Sequence, residues 1–123
     1  MGKLELHMKN ETTCRNLQEE FWISYPYLKI EFQKYQRTFE GRTIRTEKLL
    51  PGEKMLSFCR KPQLNTINVG SDRTVLQVIK EFEDVLYLKL LLLRRSGNSW
   101  IETTLTTDWT LEQQNREGRS LSQ

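Results

Sequence analysis

The chain has 123 residues, a formal net charge of +3 and two cysteines. A chain of this length forms one domain and buries a core without disulfides or a structural metal. Two cysteines, Cys14 and Cys59, exclude the disulfide framework of small secreted domains, so we expect free thiols in a cytoplasmic protein. The longest apolar stretch, Val85 to Leu93, is too short to cross a bilayer, so we expect no membrane partner.

An internal repeat divides the chain. The segment from Thr13 to Phe21 matches the segment from Thr74 to Phe82, which lies 61 residues later. The short segment that begins at Tyr27 matches the one that begins at Tyr87, at an offset of 60. Alternating apolar residues precede each copy, so each copy predicts strand, helix and strand in turn. The single domain, 1–123, then comprises a first unit at 3–35, a basic insert at 36–63, a second unit at 64–95, and a hairpin strand with a C-terminal helix at 96–121.

The first unit opens with an alternating segment, Leu4 to Met8, which is typical of a half-buried strand. Leu17 and Phe21 follow at helical spacing. Pro26 then disfavours a continued helix, so the sequence predicts a second strand from Tyr27 to Phe32.

The basic insert carries most of the excess positive charge. Between Lys34 and Lys61 the sequence has eight basic and three acidic residues. The insert is too long for a plain loop, and Pro51 with Gly52 marks a turn inside it. We expect a short strand or helical turn from Met55 to Phe58.

The second unit has the clearer helix, and Ser71 or Asp72 is expected to cap its first turn. Its apolar stripe consists of Val75, Val78, Ile79, Phe82, Val85 and Leu86. The same spacing continues as far as Leu93, which would also suit one long helix. Because Pro26 interrupts the matching point of the first copy, we predict a strand from Leu86 to Arg95 instead.

A hairpin and a third helix are predicted at the C-terminal end. Gly97 and Asn98 tolerate positive φ between two apolar runs, and residues 100–105 alternate as a strand does. Thr110 and Gln113 have the spacing of a capping box, so a helix is expected to begin near Asp108. The apolar positions of that helix are few, namely Leu111 and Leu121 around Gly118. We expect it to be partly exposed, frayed or completed by a partner.

The order of these elements predicts an α+β fold. The duplicated strand-helix-strand units would form one antiparallel or mixed sheet with the helices on one face, which is close to a ferredoxin-like plan. The hairpin and the C-terminal helix would be added to that sheet. A β-grasp-like sheet is the alternative.

Candidate catalytic and metal-binding residues are few. His7 is the only histidine, so neither a catalytic triad nor a histidine-rich metal site can form within one chain. Cys14 and Cys59 lack the Cys-x-x-Cys spacing of zinc and dithiol sites. Glu102 and Asp108 flank a threonine-rich turn and could act as acid and base, but a helix cap explains Asp108 better. We lean against an enzyme and expect no cofactor and no metal.

Nucleic-acid binding is the alternative function, because phosphates attract lysine and arginine while bases stack on aromatic rings. The insert interleaves its basic residues with Tyr35, Phe39 and Phe58, and the hairpin tip adds two arginines. The candidate contacts are Arg37, Arg42, Arg45, Lys48, Arg94 and Arg95. Against this hypothesis, the strands at 4–8 and 66–69 carry no aromatic residue, and a charged loop is often simply solvated.

The leading hypothesis is a noncatalytic interaction or structural module that forms a homodimer or binds a protein partner. The predicted sheet has edges to cover, and the last helix has little apolar surface of its own. An enzyme that uses scattered carboxylates and hydroxyls is the third hypothesis, and no motif supports it.

Overall fold

The computed structural model describes residues 4–37, 44–59 and 66–122. In these ranges the strands are β1 (Glu5–His7), β2 (Leu28–Arg37), β3 (Ile44–Lys48), β4 (Thr66–Asn68), β5 (Leu88–Ser96) and β6 (Ser99–Glu102). The helices are α1 (Cys14–Ser24), α2 (Val75–Leu86) and α3 (Leu111–Leu121). Met55–Phe58 forms a 3-10 turn, which confirms the helical turn predicted there. The fold class is mixed α+β.

The strands form two antiparallel sheets rather than the predicted single sheet. β3, β2, β5 and β6 lie side by side in that order in a curled half-barrel, and β1 pairs with β4 apart from it. β2 pairs with β3 and β5, and β5 pairs with β2 and β6. β2 and β5 therefore occupy both central positions of the sheet, which the ferredoxin-like plan would give to β1 and β4. The ferredoxin-like plan is therefore not confirmed, and neither is its β-grasp-like alternative.

Strands that the sequence repeat matches pair with each other. In the β1–β4 pair, Leu6 faces Ile67, which lies 61 positions later in the chain. In the β2–β5 pair, Glu31 faces Leu91, which lies 60 positions later. In both pairs, a residue therefore lies opposite its own counterpart in the repeat. Each half of the chain supplies one of the two central strands of the four-stranded sheet.

The starts of α1 and α2 are held by equivalent backbone contacts. The contacts are Cys14 N–H to Glu53 O at 2.8 Å, Val75 N–H to Trp109 O at 3.0 Å, and β-bridges from Thr13 to Lys54 and from Thr74 to Thr110. In each half the anchoring segment lies just before the next helical turn, which is the 3-10 turn in one half and α3 in the other. Part of the basic insert and the C-terminal segment therefore hold equivalent positions in the two halves.

Each α-helix begins with a threonine capping box. Thr13, Thr74 and Thr110 accept bonds from Asn16, Gln77 and Gln113, whose side chains accept a bond from the threonine N–H in return. The box at Thr110 confirms the predicted one. Ser71, Asp72 and Asp108 were wrong as caps, because the threonine is the last extended residue and only it has a glutamine three residues later.

The predicted strand after α2 is confirmed, with a later start. Leu86 is still the last residue of α2, and the strand begins at Leu88. Between them Tyr87 has φ 54° and ψ 41°, the left-handed conformation in which many helices end. A tyrosine side chain tolerates this conformation less well than glycine would.

One apolar core joins the two halves. The inner sheet face buries Leu28, Ile30 and Phe32 of β2 together with Leu88, Leu90 and Leu92 of β5. Phe32 of the first half packs on Phe82 of α2, with 5.2 Å between the ring centroids. Leu6 and Ile67 of the β1–β4 pair belong to the same core. The side chains of both halves therefore become buried in the same core when the chain folds.

α3 packs closely on the inner side of β5 and β2. Its buried face consists of Leu111, Gln114 and Gly118. A Cβ atom at position 118 would lie 2.9 Å from Tyr27 Cβ and 3.1 Å from Arg94 Cγ, so only glycine permits this approach. Leu121 is half exposed, so its predicted place in the apolar stripe was wrong. A buried glutamine and a glycine make the face that the sequence pattern could not identify.

Candidate functional site

Three of the predicted nucleic-acid contacts of the insert, Arg37, Arg45 and Lys48, belong to strands β2 and β3. Arg42 lies outside the described residues, as do the side chains of Arg37 and Arg45, whose backbones belong to β2 and β3. Lys48 ends β3 with an exposed side chain, and its Nζ lies 3.5 Å from a carboxylate oxygen of Glu31 on β2.

Arg94 and Arg95 point to opposite faces of β5. Arg94 lies beneath α3, where its Nη1 donates to Gln114 Oε1 at 3.0 Å and its Cζ lies 5.5 Å from the Trp109 ring centroid. Within the described ranges, Arg94 Nε is buried without a hydrogen-bond partner. Arg95 lies on the other face beside Trp100. Both arginines are half-buried, but only Arg95 lies on the sheet face that points away from the core.

The face of the four-stranded sheet that points away from the core is partly exposed, and we call it the outer sheet face. Alternation along the strands places on it Thr46 and Lys48 of β3, Lys29, Glu31, Gln33 and Tyr35 of β2, Lys89, Leu91, Leu93 and Arg95 of β5, and Trp100 and Glu102 of β6. Four of these side chains are cations and two are carboxylates, so the described part of this face carries net positive charge.

Trp100 lies close to two cations on the outer sheet face. Lys29 Nζ lies 5.6 Å from the centroid of its ring, and Arg95 Cζ lies 5.4 Å from it. Arg95 Nε also donates to Gly97 O at 2.8 Å, which fixes the guanidinium near the hairpin tip. Cations at these distances are attracted by the ring face and hold the indole in place. An anionic ligand that brought a flat ring to Trp100 would meet both charges.

A cleft of about 290 Å³ lies between α1 and the outer sheet face, and we call it the tryptophan cleft. Its lining residues are Arg15, Gln18, Glu19 and Trp22 of α1 with Lys29 and Trp100 of the sheet. Trp22 is 54 % exposed, yet its Nε1 donates to Pro26 O at 2.9 Å. Gln18 Nε2 donates to Ile30 O at 2.9 Å and so joins the helix to the edge of β2.

The other half of the chain has a groove at the equivalent place on α2, which we call the tyrosine groove. It is lined by Leu76, Ile79, Lys80, Glu83, Asp84 and Tyr87. Tyr87 packs against Tyr35 with 5.0 Å between centroids, and Tyr35 Oη donates to Glu83 at 3.3 Å. Glu83 stands where Trp22 stands in the first half, 61 residues earlier. The two sites share a position in the fold and differ in charge and ring chemistry.

The remaining candidates for chemistry are dispersed over the surface. His7, Glu102 and Asp108 are exposed and belong to different elements. Among residues 4–37, 44–59 and 66–122, no group of three or more His, Cys, Asp or Glu side chains is placed to hold a metal ion. In the same ranges, no helix has both the length and the apolarity to cross a membrane.

Cys14 is buried in the core, as the sequence predicted, and it is a free thiol. Burial raises the pKa of this thiol to about 11, and the nearby carboxylate of Glu53 contributes to the rise. The hydroxyl of Tyr25 is buried as well and donates to Val69 O, and its burial raises its pKa to about 12.

These two pKa values predict alkaline destabilisation. Between pH 9 and pH 11 the unfolded chain loses the Cys14 proton while the folded chain keeps it, so the free energy of unfolding falls as pH rises. The expected slope is about 1.4 kcal/mol per pH unit for one group. Chemical denaturation at pH 9 and at pH 10, where Tyr25 has only begun to contribute, should show it. The Cys14→Ala variant should lose this slope, and an unchanged slope would contradict the assignment.

Sequence reasoning identified the basic residues but missed the tryptophan cleft. Lys29 and Trp100 lie far apart in the chain, and no spacing rule brings them together. One signal was present, because Gln18 and Trp22 are four residues apart on the polar side of a helix whose apolar side carries Leu17 and Phe21.

Comparison of this chain with protein-family models, with curated proteins and with solved structures finds no match.

Proposed function

We propose that this protein is a noncatalytic, cytoplasmic binding module that holds single-stranded nucleic acid on its outer sheet face. The observation that carries the proposal is the proximity of Trp100 to both Lys29 and Arg95. Proteins that bind single strands combine aromatic rings, on which bases stack, with cations that follow the phosphates. This arrangement supplies both within one partly exposed surface.

The rest of the outer sheet face supports the proposal. Lys89 and Lys48 add cations along the sheet, and Tyr35 adds an aromatic ring at the far end of β2. Glu31 lies between Lys29 and Lys48, 3.5 Å from each ammonium group, and so holds the two lysines on the face. Extended chains suit a sheet surface, because their repeat along the backbone lets successive bases reach neighbouring strands.

The proposal is tested by fluorescence anisotropy with labelled single-stranded oligonucleotides of mixed sequence. Wild-type protein is expected to bind at about 50 mM salt and to lose affinity steeply towards about 200 mM. Trp100→Ala is expected to weaken binding about tenfold or more at either salt concentration, because base stacking is lost. The double variant Lys29→Gln/Arg95→Gln is expected to reduce the slope of log affinity against log salt by about 1.4, because each phosphate contact on a single strand contributes about 0.7.

The matched control removes two cations elsewhere. Arg116 and Arg119 are exposed on α3, away from the outer sheet face, so Arg116→Gln/Arg119→Gln changes the net charge equally. This control should bind as wild type does. Equal losses in both double variants would show a general polyanion effect. If wild-type protein shows no binding at low salt, the proposal is wrong.

A second candidate is association with a protein, including a second copy of this chain. The observation in its favour is the exposure of large apolar side chains, with Leu105 95 % and Ile23 79 % exposed. Light scattering after size exclusion over a wide concentration range distinguishes the two candidates. A mass that rises with concentration without oligonucleotide, in a protein that binds none, would favour self-association.

A further inference from the structure

We infer that the tryptophan cleft is a site for one unstacked base, which inserts between Trp22 and Trp100. This inference rests on the proposed binding of single-stranded nucleic acid and names the part of the surface that recognises a base. Trp100 belongs to both the cleft and the outer sheet face. A strand that crosses the face can therefore place one base in the cleft while its neighbours stay on the sheet.

Both indoles are held in position before a ligand binds. Trp22 would otherwise be a mobile side chain, because it is more than half exposed, but its Nε1 is bonded to Pro26 O. Pro26 lies in the turn between α1 and β2. Trp100 is restrained by Lys29 and Arg95, whose charged groups lie 5.6 Å and 5.4 Å from its ring centroid. Rings that are already oriented lose little conformational freedom on binding, so more of the stacking energy appears as affinity.

The polar lining of the cleft suits a nucleotide. Lys29 lies inside it, and Arg15 lies at its rim in a long ion pair with Glu19, 3.9 Å apart and largely exposed. Such an exposed pair is weak, so the guanidinium can turn to a phosphate. One N–H of the Gln18 side-chain amide donates to Ile30 O. The Oε1 atom of that amide can accept a hydrogen bond from an amino or imino group of a base.

The size of the cleft limits what it can hold. Its volume of about 290 Å³ lies just below the usual range of sites for small molecules, roughly 300–1,000 Å³. One base with its sugar suits this space better than a folded peptide segment does. The apolar part of the lining comes mainly from the two indoles, which favour a flat ring over an aliphatic side chain.

The tyrosine groove on α2 argues that the chain has one such site rather than two. At the positions equivalent to Arg15, Gln18 and Trp22 it has Leu76, Ile79 and Glu83. It thus lacks the arginine and the indole, and the Glu83 carboxylate would repel a phosphate. The base site therefore depends on side chains in which the two halves of the chain differ.

The test uses two oligonucleotides of equal length, one with all its bases and one with abasic sites throughout, so that the phosphate charge is the same. Wild-type protein is expected to bind the base-bearing strand more tightly. Trp22→Ala should weaken that binding about tenfold or more and leave binding of the abasic strand unchanged. Trp22→Phe keeps a ring and should lie between the two. Ile23→Ala is the matched control, because Ile23 is the exposed neighbour of Trp22 on α1 and lies outside the cleft lining.

Each result decides the question. Binding of neither strand by wild-type protein at low salt overturns the proposed function and this inference with it. A preference for the base-bearing strand that persists in Trp22→Ala overturns this inference alone. Quenching of a 2-aminopurine base in the strand by wild-type protein, lost in Trp22→Ala and kept in Ile23→Ala, supports insertion beside the indole.

Discussion

Replacement of Gln114 by leucine is expected to lower the free energy of unfolding by about 3 kcal/mol. Gln114 is fully buried on α3, and its side-chain amide forms hydrogen bonds with two residues outside that helix. Its Nε2 donates to the carbonyl oxygen of Thr106 at 2.9 Å and to its hydroxyl at 2.7 Å, and its Oε1 accepts from Arg94 Nη1 at 3.0 Å. Leucine has a similar size but would remove a partner of the half-buried Arg94 guanidinium and of the Thr106 carbonyl. Urea denaturation followed by tryptophan fluorescence measures the change.

The double variant Arg94→Leu/Gln114→Leu is the control for this expectation. Removal of both partners of a buried charged bond costs less than removal of one, because no charge is left stranded. The double variant should therefore be more stable than Gln114→Leu alone. Wild-type stability in Gln114→Leu would show that the network contributes nothing, and a double variant that is no more stable than the single one would show that Arg94 finds other partners.

This network also marks a limit of sequence reasoning. The pattern of apolar residues predicted α1 and α2, because burial imposes a period of 3.6 on them, and the capping box at Thr110 predicted α3. α3 was nevertheless predicted to have a thin apolar stripe, since Gln114 and Gly118 look like surface residues in a sequence. Only the positions of Arg94 and Tyr27 on the sheet explain why a glutamine and a glycine face inward there.

The division into two sheets could not be predicted from the repeat. A repeat predicts which segments resemble each other, and the strand expected from Leu86 to Arg95 was inferred in this way from Pro26 in the first copy. It does not predict which segments pair. Matched residues such as Leu6 and Ile67 face each other here because the strands are antiparallel and centred on them, which depends on packing between the halves.

The candidate site was only partly predictable for the same reason. Two of the basic residues predicted to contact nucleic acid, Lys48 and Arg95, lie on the outer sheet face. A third, Arg94, lies beneath α3 on the other face. A strand alternates sides at each residue, so two adjacent arginines cannot both face one ligand. The partners of Arg95 on that face, Lys29 and Trp100, come from strands on either side of β5 and needed the register to be known.

Phe82→Ala is expected to destabilise the whole chain by about 3–5 kcal/mol, the largest loss that any single substitution here should cause. The ring is fully buried on α2 and packs on Phe32 of β2, so its removal opens a cavity where the two halves meet. Phe21, the matched residue on α1, is equally buried and packs on Tyr25, with 5.1 Å between centroids. Phe21→Ala should cost a similar amount.

The two variants together test whether the chain is one cooperative domain, because Phe21 and Phe82 belong to opposite halves but to one core. Hydrogen exchange should speed up in α1 and α2 to the same extent in either variant, since a cavity in a shared core weakens every element that packs on it. Leu105→Ala is the control, with an expected change of less than about 0.5 kcal/mol at a side chain that is almost fully exposed. Faster exchange confined to the half that carries the substitution would mean that the halves unfold separately. The β2–β5 pairing joins the halves along seven residue pairs. It would then contribute much less to the cooperativity of unfolding than its length indicates.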